Sequence, residues 1–258
     1  MAARPLIETF DVRRDARVAT IGGGGKKTVL FALAREWAKG GGRPLVLPTT
    51  RLYRGAAEEV LGDAKVVALD KARSAWPAID FPAGGVLVLG RRDENPDLLT
   101  AILPEEIAPL AEQVKADLVL VKADGSRGRS LKAHKEHEPV IPMDTSLVIA
   151  VAGLDVWGAP LSPETVHRSE LFAVKWGMTP GERLEDDAFL YALGDPTGYR
   201  ATVPAGAQYV VFLNQVDRPV RLAVAQRLAE KLHAAGVSDV VFGDVLAGEW
   251  TLSRAGTR

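Results

Sequence analysis

Short apolar runs, each ending in glycine or a polar turn, alternate along the chain with stretches whose apolar positions recur every three to four residues. Residues 18–21, 44–48, 65–69, 85–90, 117–121, 146–151, 209–213 and 239–243 read as strands. Residues 29–38 read as a helix, stopped by Gly40-Gly41-Gly42. Residues 104–115 have a proline start and an acidic first turn. Helices are also predicted to begin at Pro163 and to run over 182–193 and 219–235, the last ended by Gly236. Between Lys71 and Pro82, Trp76-Pro77 leaves room only for a brief helix. Strands alternating with helices predict one α/β domain over residues 1–258. It has three layers, a mostly parallel sheet covered on both faces, and ligand loops at the strand C-termini.

The first of those loops carries the clearest chemistry. Gly22-Gly23-Gly24-Gly25-Lys26-Lys27-Thr28 joins a strand to a helix. Glycines let backbone N–H groups turn inward, and a helix N-terminus adds positive potential, so the layout suits a phosphate chain. It marks the fold as P-loop NTPase-like, with Lys26 on the phosphates and a hydroxyl, Thr28, on Mg²⁺. The spacing is the short G-x-x-G-K form, and Lys27 stands where the hydroxyl is usual. A flexible turn before an ordinary helix is the alternative.

Asp124 follows the apolar run 117–121, where P-loop proteins place the carboxylate that holds Mg²⁺. Lys26 and Asp124 are therefore the candidate catalytic pair. Thr49 and Thr50 end another strand and are candidates for the γ-phosphate, or for a simple helix cap. After Asp124 come Arg127, Arg129 and Lys132 in a basic, glycine-spaced segment suited to an acidic substrate. His167-Arg168 either faces a ligand or forms an exposed helical pair. His134 and His137 share a spacing that invites a metal, but no third ligand accompanies them. Asn214-Gln215-Val216-Asp217 resembles the guanine-reading N-K-x-D of GTPases, with Gln in place of Lys, so Asn214 and Asp217 are nucleotide candidates.

Composition narrows the functions. The formal net charge of −1, with 25% charged residues, gives no basic excess for nucleic acid. No apolar run approaches the ~18 residues of a membrane span, and the N-terminus lacks a signal-peptide core, so a cytoplasmic protein without membrane contact is expected. There are no cysteines, which excludes thiol, persulfide and iron–sulfur chemistry on this chain.

With these motifs together, the chain resembles the YqeC family of selenium-dependent molybdenum hydroxylase accessory proteins, also called selenium cofactor biosynthesis proteins. The resemblance rests on the Gly-Lys loop at 22–28, Thr49-Thr50, Ala123-Asp124-Gly125-Ser126-Arg127-Gly128 and Leu131-Lys132-Ala133. It continues through Glu136-His137-Glu138-Pro139-Val140-Ile141-Pro142, Gly153-Leu154-Asp155, Val166-His167-Arg168 and Leu213-Asn214-Gln215-Val216-Asp217. It implies a protein that binds GTP or ATP with Mg²⁺, a GTPase or ATPase assisting cofactor maturation, with an apo molybdenum hydroxylase or maturation protein as partner. Two positions depart from the family pattern: Lys27 replaces a hydroxyl residue and Lys122 a glutamate. Two other readings stay open. One is an ATP-dependent ligase or kinase for a small acid held by Arg127, Arg129 and Lys132. The other is a non-catalytic nucleotide-binding adaptor.

Overall fold

A computed structural model describes residues 4–55, 64–70, 76 and 78–256. Its sheet of eleven strands is built on a parallel core. That core runs in the order β12 (Asp239–Asp244), β11 (Gln208–Asn214), β9 (Leu147–Gly153), β1 (Ala16–Gly22), β7 (Leu118–Lys122), β2 (Pro44–Pro48) and β5 (Leu87–Arg92), with β4 (Lys65–Leu69) beside β5. Antiparallel strands finish the edges. β13 (Glu249–Arg254) lies on β12, and β6 (Leu98–Thr100) joins β5 to β3 (Leu52–Tyr53). A separate parallel pair links β8 (Leu131–Lys132) to β10 (Val166–His167).

The central strands are buried on both faces because alternate side chains enter two cores. Val18, Val46, Leu120, Ile149 and Phe212 meet Leu30, Phe31 and Leu33 of α2 (Lys26–Lys39), with Leu6 of the short α1 (Leu6–Thr9). Ile21, Leu47, Val121, Ala150 and Leu213 face the opposite way. They meet Ile107 and Leu110 of α3 (Pro104–Gln113), Phe189 of α5 (Asp186–Leu193) and Leu228 of α6 (Pro219–Ala234). The expected mostly parallel α/β sheet, covered on both faces, is what forms.

Three helix starts differ from the sequence pattern, and α2 begins at Lys26, three residues before the expected Val29. The helix expected from Pro163 begins at Ser169, as α4 (Ser169–Trp176), because Val166 and His167 pair with β8 first. The helix expected from Glu182 begins at Asp186, because Leu184 N–H bonds Ala159 O and Gly158 N–H bonds Leu184 O. The brief helix expected between Lys71 and Pro82 falls half outside the described residues. No helix among the described residues is long and apolar enough to cross a membrane.

Candidate functional site

The connection from β1 to β2 passes over β7, and the connection from β7 to β9 passes over β1. Neighbouring strands whose connections run in opposite directions open a crevice at their C-terminal ends. The glycine loop and Asp124 occupy that crevice. Gly22, Gly24 and Gly25 have φ of +95°, +65° and +117°. A Cβ on Gly22 would come within 2.2 Å of Val151 O, and one on Gly24 within 2.2 Å of Gly153 N. The glycines are thus required by backbone conformation and by the close approach of the end of β9.

Three loop N–H groups are already paired. Gly22 donates to Asp124 Oδ2 (2.8 Å), Gly23 to Val151 O (2.8 Å) and Gly24 to Arg129 O (3.0 Å). The donors at the start of α2, from Gly25 to Thr28, belong to the turn that has no intrahelical acceptors.

Behind the loop lies a buried chain of alternating charge. Lys26 Nζ donates to Gly22 O and sits 3.1 Å from Asp124. Asp124 also meets Lys132 (3.3 Å) and His134 Nε2 (2.6 Å). Lys132 in turn reaches Glu138 (3.0 Å), which Arg168 grips with both Nη atoms (2.5 and 2.7 Å). Burial pushes the Asp124 carboxyl up, but Lys26, His134 and Lys132 together bring it well below the usual carboxylate range. Burial, opposed by Asp124, brings the Lys26 ammonium down. Burial also raises Glu138, yet Arg168 and Lys132 draw it down to about 2. Tyr199 Oη bonds the backbone of Lys132 on both sides, and its ring packs on Gly22.

The predicted residues divide into those the fold gathers and those it spends elsewhere. Lys26, Asp124 and the loop come together. Lys27 and Thr28 are half-buried on the first turn of α2, about 100° apart around it. Thr49 and Thr50 lie at the end of β2, separated from β1 by β7. Thr49 Oγ1 donates to Val140 O (2.7 Å), and Thr50 Oγ1 accepts from Lys122 Nζ (3.1 Å). Asn214 is buried, giving Nδ2 to Gly24 O (2.8 Å) and accepting Val245 N–H (3.2 Å). Asp217 is exposed and ion-paired with Arg218 and Arg221.

Arg127, Arg129, His167 and Arg168 line a cavity of about 1100 Å³ beside the loop. Lys132 is completely buried beneath it, so it is a charge pivot rather than a surface contact. Lys26, only 4% exposed, also belongs to this ion cluster instead of waiting free in the loop. His134, Glu138 and Tyr199 were not singled out as site residues in the sequence. The first showed only as half of a histidine pair, and no local pattern marks the third.

A phosphate chain fits this donor set: unpaired helix N–H groups, Lys26 and Lys27 all favour negative charge. A divalent cation would find Asp124 Oδ1 buried without a hydrogen-bond partner, but the carboxylate is crowded by lysines. Asp124 already faces the ammonium groups of Lys26 and Lys132 and the imidazole of His134, which burial pushes toward its neutral form, and Lys27 takes the usual hydroxyl position. Lys122 Nζ closes the end of β7 on Thr50 Oγ1 and Arg51 O. Among the described residues no group of three or more His, Asp or Glu is placed to hold a metal.

Fold and site define an α/β protein with a glycine–lysine loop at the switch point of a parallel sheet. The family model described as YqeC protein matches residues 18–170. The YqeC protein of Escherichia coli (strain K12) is 30% identical over 240 residues, covering 93% of this chain and 91% of that protein. The chain belongs to the YqeC family.

Proposed function

We propose that this protein binds a nucleoside triphosphate, GTP or ATP, through the loop at residues 22–28, as an accessory protein in selenium or molybdenum cofactor maturation. One observation carries the nucleotide part. The glycine loop ends a central parallel strand at the switch point, with Lys26 held by Asp124 from the neighbouring strand. The phosphate chain would lie on the first-turn N–H groups of α2, with Lys26 leaving Gly22 O for a phosphate oxygen. Asp124 opposes the burial that lowers Lys26 and holds both Lys26 and Lys132 by ion pairs, and Asn214 fixes the loop through Gly24 O. The maturation role and an apo molybdenum hydroxylase as partner come from the family resemblance.

The test is thermal stabilisation by ATP and GTP. Ligand at about 100 times Kd raises stability by roughly 2.7 kcal/mol. Lys26→Met keeps the side chain's length and removes its charge, and should abolish that stabilisation. It should also lower the stability of the free protein, because Asp124 loses one of its buried cations. A Lys26→Met protein that folds and is stabilised by nucleotide as strongly as the parent would overturn the proposal.

A further inference from the structure

Residues 22–28 do not line the 1100 Å³ cavity, which is walled instead by the segments around 127–138 and 163–175. We propose that this basin is a second ligand site, for a small molecule carrying two or more acidic groups, carboxylate or phosphate. The volume is that of a small-molecule pocket.

Charge sets the ligand class. Arg127, Arg129, Lys135, Arg168 and Lys175 line the basin against three glutamates, and one of these, Glu138, is already shared between Lys132 and Arg168. The first turn of α4 also lines it through Ser169 and Glu170, adding N–H groups without helical partners. His167 reports the resulting field. Burial first, then Arg168, Lys132 and Arg127, push its imidazole down to about 4, with Glu138 opposing. Burial and this positive field together keep the histidine neutral, and the field is a contribution that an anion would compensate. The basin is concave and the whole chain carries a net charge of −1, so the occupant is a small acid rather than a nucleic-acid backbone. Its floor is fixed in advance, because Lys132 and Glu138 hold Arg168 through ion pairs.

The site stands independently of nucleotide binding, and so does its test. The His167 ring, assigned by its loss in His167→Gln, is followed by NMR in the full chain during separate titrations with citrate and inorganic phosphate. Either anion at saturation should raise the His167 pKa by about one unit. A response to only one of them still supports the site and tells carboxylate from phosphate recognition. Arg127→Ser, on the exposed rim, should weaken the anion about tenfold. The response should persist in Lys27→Gln, since Lys27 neither lines the basin nor belongs to the ion pairs that hold its floor. Three results would sink the proposal: a His167 pKa unmoved by both anions, equal anion affinity in Arg127→Ser, or a response lost with the loop lysine.

Discussion

Lys122 ends β7 with its ammonium on Thr50 Oγ1 and Arg51 O, and burial, followed by the charge of Lys26, lowers its pKa from 10.5 to about 7. A base whose pKa falls on folding binds its proton more tightly in the unfolded chain. Its penalty is therefore fully present below about pH 7 and is relieved as pH rises toward 10.5. Each unit of difference corresponds to about 1.4 kcal/mol. The urea midpoint of the native chain should climb across that window, and Lys122→Met should flatten the climb. Equal pH profiles for the two would rule out a titrating Lys122. At this scale the sequence exposed Lys26 and Asp124, because strand, glycines and lysine are contiguous and Asp124 follows an apolar run. It could not expose the partners of Asp124, since Lys132 and His134 reach it only through the path of the 125–134 loop. Glu138 and Arg168 meet across still more chain.

Asn214 ends β11 and fastens two other elements, the glycine loop through Gly24 O and the end of β12 through Val245 N–H. Asn214→Ala leaves both groups without their partner and should cost about 1–3 kcal/mol, with weaker nucleotide binding, measurable by urea titration and calorimetry. The turn that follows carries Asp217. A carboxylate there can accept from both guanine donors, so GTP should bind more tightly than ATP, and Asp217→Asn should erase the difference. Equal GTP and ATP affinities in the parent protein would make this an ordinary turn whose Asp serves Arg221. The strands of the parallel core were legible because their runs are apolar on both faces. β13 was not, since its half-exposed, polar-rich pattern at the sheet edge lacks that signature. The two-residue β8 and β10 carry no period at all, yet they delay α4 and so shape the basin wall.

Across the whole molecule the charges nearly cancel, while the site concentrates lysines where nucleotide-binding proteins more often place a metal. Nucleotide affinity should consequently change by less than tenfold, about 1.4 kcal/mol, between excess EDTA and millimolar Mg²⁺, as read by calorimetry. A requirement for Mg²⁺ would mean that Asp124 exchanges its cations for a metal on binding. The resting position of Lys26 has a further consequence, one of time. Its ammonium is hydrogen-bonded to Gly22 O and ion-paired with Asp124 in the free chain, so a phosphate must wait for it to leave or displace it. If departure comes first, the observed association rate in stopped-flow will level off at high nucleotide concentration instead of rising linearly. The plateau would then be the opening rate of a single buried ion pair.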